Sequence, residues 1–243
     1  MRYQQLFANG LHELKQTADI LLHLIFPHCC TGCGNDMLQA NQVLCTTCAD
    51  ALPRTHFEHH ANNPIEKIFW GRLPITYASA QYFFTKDSVM QNLMHALKYR
   101  GNKEVGLWLG KTIGAQLFST NRFMQVDALV PLPLYPEKEH QRGYNQARVL
   151  CDGMAQAMQK PVLHQAVIRT HHTESQTKKT RVERWQNMEG RFLVADPGAL
   201  QGKHLLLVDD VVTTGATLEA CGRCLLDVPD VRLSIATLCC AFN

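Results

Sequence analysis

The chain lacks any apolar run long enough to cross a membrane as a helix. Its N-terminal run, Ile20-Leu21-Leu22-His23-Leu24-Ile25-Phe26, has seven residues with a histidine inside, whereas a spanning helix needs about 20. A signal peptide would follow such a run with a small-residue cleavage site, but Pro27-His28-Cys29-Cys30 stands there instead. Export and membrane insertion are therefore not expected, and the thiols are expected reduced, in the cytoplasm. Charge of one sign is also scarce. A formal charge of +3 is too small to announce a nucleic-acid partner, so local clusters would have to carry that argument. There is no internal repeat and no low-complexity tract, and 46% hydrophobic with 19% charged residues is globular composition.

Cysteine, by contrast, is abundant, at ten in 243 residues. Before the cysteines, Leu6, Phe7, Leu11, Leu14, Leu21, Leu22 and Ile25 recur at helical spacing, which predicts an amphipathic helix over about 3–25. Its plainest role is packing on the rest of the chain. Peripheral membrane contact fits less well, because the polar face is not strongly basic. Residues 56–64 are rich in His and Asn and read as a linker. His56, His59 and His60 there read as solvated, because four thiols nearby already satisfy a tetrahedral ion. From Pro74 the pattern alternates: strand over 75–84, helices over 89–99 and 105–118, strand over 126–132 and helix over 145–158. A strand over 162–168, a long polar stretch, an apolar strand over 205–208, a helix over 218–226 and a strand over 231–238 complete it. This predicts a mostly parallel α/β sheet covered by helices on both faces. The expected division is a helix at 1–27, a cysteine module at 28–63 and an α/β domain at 64–243.

Cys30, Cys33, Cys45 and Cys48 form C-x2-C-x11-C-x2-C, with Gly34 easing the turn after the first pair. Two such pairs in a reducing compartment predict a closed, structural zinc site with no open coordination position, which stabilises a segment too small for its own core. A redox role is weaker, because neither pair lies in a strand-to-helix context. Cys29 could replace Cys30 as ligand, and Cys151, Cys239 and Cys240 read as buried thiols. Cys221 and Cys224 share one face of a predicted helix and read as packing.

The most informative stretch is Leu205-Leu206-Leu207-Val208-Asp209-Asp210-Val211-Val212-Thr213-Thr214-Gly215-Ala216-Thr217. An apolar strand delivers two carboxylates to its C-terminal edge, where open α/β sheets bind ligands. A Thr/Gly turn then opens a helix, whose N-terminal N–H groups make an anion site. Carboxylates beside an anion site suit a ligand that carries both hydroxyls and phosphate. Asp209 and Asp210 would accept from ribose hydroxyls, while residues 213–217 hold a phosphate.

This arrangement resembles the motif with which type I phosphoribosyltransferases bind 5-phosphoribosyl-1-pyrophosphate (PRPP). The resemblance implies that the proline-fixed loop Pro131-Leu132-Pro133 holds pyrophosphate, with Lys138 and Arg142 as its cations. It also implies that the polar segment 169–190, with Lys178, forms a hood over PRPP, and that Mg2+ accompanies the ligand. Lys98-Tyr99-Arg100-Gly101 reads equally well as a second wall or as a basic helix C-cap.

Several motifs together resemble the ComF (ComFC) family of competence proteins: Phe26-Pro27 before the cysteines, Leu97-Lys98-Tyr99-Arg100-Gly101, Val130-Pro131-Leu132-Pro133, Arg142-Gly143-Tyr144-Asn145-Gln146-Ala147, Arg169 with Thr173 and Gln176, and the acidic strand. The likeness runs from about residue 20 to the end. It implies natural transformation, handling imported single-stranded DNA in company with other DNA-uptake or DNA-processing proteins. Basic residues Lys98, Arg100 and Lys103, with Lys179, Arg181 and Arg184, near Tyr99, Tyr144 and Trp185, could hold DNA phosphates and bases. The alternative is an active phosphoribosyltransferase acting on a nitrogen acceptor, but no acceptor pocket or catalytic residue is identifiable from the residues.

Overall fold

The computed structural model describes residues 28–36, 42–169 and 192–242. The expected helix over 3–25 lies outside the described residues, as do Lys178, Lys179, Arg181 and Arg184. The chain falls into two compact units that divide between Ala51 and Leu52.

In the first unit, Gly34 takes a left-handed φ of 77° and donates its N–H to the Cys30 carbonyl at 2.7 Å. This turn folds the first C-x-x-C back on itself. The second pair sits at the start of helix α1 (Thr46–Asp50): Cys45 is its N-cap, with its Sγ accepting from the N–H of Cys48 inside the helix.

The second unit is built on a four-stranded, all-parallel sheet. Strands β1 (Ala78–Phe83), β2 (Ala128–Pro131), β5 (His204–Val212) and β6 (Arg232–Cys240) lie in the order β1-β6-β5-β2. On one face, Ala78, Ala80, Val130, Leu205, Leu207, Leu233 and Ile235 form a core with Ile65, Phe69, Leu218, Cys221 and Leu225. Those partners come from helices α2 (Pro64–Phe69) and α7 (Ala216–Leu226). The alternating residues Leu129, Leu206 and Val208 face the other way and are also buried. Helix α4 (Lys103–Phe118) packs on both α3 (Val89–Tyr99) and α6 (Gln146–Met158), and α6 meets β2 and β5. Helices α4 and α6 touch backbone to backbone. A Cβ at Gly110 would sit 2.2 Å from the Leu150 carbonyl, and one at Gly153 would sit 2.3 Å from that of Leu107.

The expected alternation and parallel sheet are present, with four differences. Pairing over 162–168 does not form one strand. Val162 makes a single bridge to Leu129, the chain turns, and β3 (Val167–Arg169) pairs antiparallel with β4 (Phe192–Val194) in a separate ribbon. The strand expected to end at Val208 runs on to Val212, because β6 lies beside it as far as Cys240 and keeps supplying partners. The linker-like stretch leads straight into an unexpected helix, α2: Asn63 accepts from the N–H groups of Ile65 and Glu66, Pro64 fills the first turn, and the Asn63 amide donates to Ala78 O at 2.8 Å. A further helix, α5 (Pro136–Arg142), follows the proline loop and ends at Gly143 with φ 79°.

Candidate functional site

Continuation of β5 places Asp209 and Asp210 inside the ladder, with Asp209 in register with Thr237. As neighbours on a strand they leave on opposite faces. Asp209 interacts with Arg169, which belongs to β3. Asp210 Oδ2 meets Lys98 Nζ, on the last turn of α3, at 2.9 Å. The Asp210 N–H donates to Asp209 Oδ1 at 2.8 Å. Burial, and then the charge of Asp210, push the Asp209 carboxyl well above the usual range.

After β5, residues 213–214 bend and α7 begins at Ala216, with Gly215 at its N-cap. Glycine brings no side chain to cap the helix, so its first N–H groups face an incoming anion without competition. Gly215 has φ 72°, and a Cβ there would come within 2.7 Å of the Ile68 side chain and 3.0 Å of Phe69. Thr213, Thr214 and Thr217 are exposed, Val211 and Ala216 half-buried and Val212 buried. The turn is braced from behind by Arg72, which donates to the Thr214 carbonyl and to Glu219. Arg223 also holds Glu219, at 2.7 Å. Burial raises the Glu219 carboxyl, but hydrogen bonds from Arg223 and Arg72 outweigh it and leave the group below its ordinary value.

The proline loop leaves β2 beside β5, and the Leu132 N–H donates to the Val208 carbonyl at 2.8 Å. Pro131, Leu132 and Pro133 are buried. The Asn145 side chain fixes the far end of the loop: its amide donates to the Leu132 carbonyl at 2.9 Å, and its oxygen caps α6 through Ala147 N–H. Arg169 lies with its guanidinium 3.6 Å from the centre of the Tyr135 ring. It donates to the Pro133 carbonyl at 3.4 Å, while its buried Nε has no partner. Lys98, Tyr99, Lys138, Gln141 and Arg142 line a cavity of about 380 Å³ between the ends of α3 and α5. Arg142 donates to Gln146 at 2.7 Å and stands 5.9 Å from the Tyr99 ring centre. Lys103 is exposed, 5.3 Å from the Tyr144 ring centre, and Arg100 is exposed as the C-cap of α3.

The Sγ atoms of Cys30, Cys33, Cys45 and Cys48 all lie within 4.8 Å of one another, the only such group of potential metal ligands among the described residues. The Cys33–Cys45 Sγ separation is 3.9 Å. Ligands about 2.3 Å from a tetrahedral zinc stand about 3.8 Å apart, so the thiols fit such an ion. Cys151, Cys221, Cys239 and Cys240 are buried, while Cys29 is exposed.

Of the residues expected at the phosphate site, those of 209–217 and 131–133 converge at the C-terminal edge of β2 and β5, and Lys138 and Arg142 line the adjacent cavity. Arg72 is the contributor that the sequence does not mark: it lies 142 positions before Thr214, and no local pattern points to it. Lys98, read both as a wall of the site and as a DNA contact, has its ammonium on Asp210. Arg169 was assigned to the hood segment, but it ends a strand and packs under the proline loop. An arginine directly after an apolar strand was the available signal.

A family model for the phosphoribosyl transferase domain matches residues 145–241, the stretch from the N-cap of α6 through β6. The chain is 27% identical over 214 residues to the DNA utilization protein YhgH of Escherichia coli K12, covering 86% of this chain and 89% of that protein. It is 25% identical over 223 residues to competence protein F of Haemophilus influenzae, covering 87% and 91%. It is 35% identical over 144 residues to competence protein ComFC of Bacillus subtilis, covering 59% and 56%. Among solved structures, glutamine PRPP amidotransferase from B. subtilis, complexed with ADP and GMP, matches 59% of this chain at 15% identity, with a TM-score of 0.41. The match spans 30% of that chain's length.

Proposed function

We propose that this chain, a member of the ComF family of competence proteins with a phosphoribosyltransferase domain, binds PRPP with Mg2+ and handles imported single-stranded DNA in the cytoplasm during natural transformation. The observation that carries the reading is the acid pair Asp209–Asp210 at the end of β5, leading through a Thr/Gly turn into a helix that no side chain caps. Carboxylates accept from ribose hydroxyls, and the open N–H groups of α7 hold the 5′-phosphate. The loop 131–133 with Lys138 and Arg142 receives the diphosphate, whose charge Mg2+ neutralises when bound. Zinc held by Cys30, Cys33, Cys45 and Cys48 is structural in this reading. DNA phosphates fall to Arg100 and Lys103, with Lys179, Arg181 and Arg184 of the segment outside the described residues, while Lys98 belongs with the PRPP site.

The test is calorimetric titration with PRPP and Mg2+, with and without single-stranded DNA. Wild type is expected to bind PRPP, and Asp209→Asn with Asp210→Asn to lose it at unchanged zinc content. Retained binding in that double variant refutes the ribose assignment. Pyrophosphate release that depends on an acceptor would make the protein a transferase.

A further inference from the structure

We infer that Lys98 is a bridging residue of the PRPP site, fixing the Asp210 carboxylate with one N–H and offering the others to the ligand's diphosphate. The inference rests on the PRPP reading above and assigns a residue to it from outside the matched domain, since α3 precedes residue 145. Two observations meet at this side chain. Its ammonium is 2.9 Å from Asp210 Oδ2, with the two side chains only 20% and 15% exposed. It also lines the 380 Å³ cavity together with Tyr99, Lys138, Gln141 and Arg142.

An ammonium has three donors, and Asp210 uses one. The cavity wall carries three cationic side chains, an amide and a phenol, and no carboxylate, which suits a small polyanion. Arg142 is steadied by Gln146 at 2.7 Å, so its guanidinium is held near the opening. Lys98 therefore stands where the acid that accepts a ribose hydroxyl meets the cations that receive the diphosphate, groups that PRPP carries on neighbouring sugar carbons. Neutralising Asp210 also lowers the repulsion between the adjacent carboxylates and the approaching phosphates.

The test compares three probes, PRPP, inorganic pyrophosphate and ribose 5-phosphate, each with Mg2+, by calorimetry on the full chain. Lys98→Met keeps the unbranched stem to within one atom and removes the charge. It is expected to weaken PRPP and pyrophosphate by about tenfold or more, the loss of one charge-assisted contact, and ribose 5-phosphate by much less. Lys98→Arg is expected to recover part of the pyrophosphate affinity. Equal weakening of all three probes would mean that Lys98 only supports the fold, and unchanged pyrophosphate affinity in Lys98→Met would likewise overturn the assignment while leaving PRPP binding intact. A wild-type protein that binds none of the three overturns the PRPP reading and this inference together.

Discussion

Arg72 donates to the Thr214 carbonyl at 2.9 Å while its Nε and other terminal nitrogen hold Glu219. One side chain thus ties the turn after β5 to the helix that follows it. Arg72→Ala leaves the Thr214 carbonyl and the Glu219 carboxylate short of a partner. The expected cost is about 1–2 kcal/mol in urea unfolding, with a several-fold loss of PRPP affinity. A variant that loses stability but binds PRPP as wild type would show that the turn keeps its shape without the brace.

Asp209 should make the protein more stable when it is removed, above all at high pH. Burial and the Asp210 charge raise its folded pKa above the unfolded value. The folded state therefore holds the proton more tightly, and stability falls as pH rises from the ordinary carboxylate range towards the folded pKa. Asp209→Asn removes that penalty. Thermal denaturation at pH 9 should give a higher Tm for Asp209→Asn than for wild type, with the gap closing towards pH 4. A gap that stays constant with pH would contradict the electrostatic cause.

Gly215 answers to two constraints at once, a left-handed φ of 72° and the side chains of Ile68 and Phe69 against its back. Gly215→Ala is expected to cost about 1–3 kcal/mol from the backbone alone, and to reduce PRPP affinity by moving the start of α7. Chemical denaturation and calorimetry on the same preparation separate the two effects.

The four-thiol cluster predicts one tightly held zinc per chain. Cys33→Ser or Cys48→Ser should lose it, read by elemental analysis. The N-terminal unit should then become sensitive to proteolysis, because its fold depends on the ion. A variant with full zinc content and wild-type protease resistance would refute the site.

The parts legible in the sequence were those written in short-range patterns. The paired cysteines, the apolar strand before Asp209 and Asp210, and the amphipathic helices α3, α4 and α6 each declare themselves within a dozen residues. What was missed depends on long-range partners. The end of β5 is set by the length of β6 beside it, and the split of 162–168 by the presence of β4. Helix α2 escaped because its six residues are too few to show a helical period, and only the Asn63-Pro64 cap marks a start. For Lys98 the sequence leaves a wall of the site and a basic helix C-cap equally open, since nothing near it in the chain shows that Asp210 lies 2.9 Å away.

The strand order β1-β6-β5-β2 has a consequence for biosynthesis. The strand that comes last in the chain among the described residues, Arg232–Cys240, is an inner one that separates β1 from β5. Until it emerges, the acidic strand lacks one neighbour, and the earlier elements cannot close over a common core. The ligand loop therefore takes its final shape only once Arg232–Cys240 has paired between β1 and β5. A chain interrupted before that point would expose apolar strand edges for quality control to recognise.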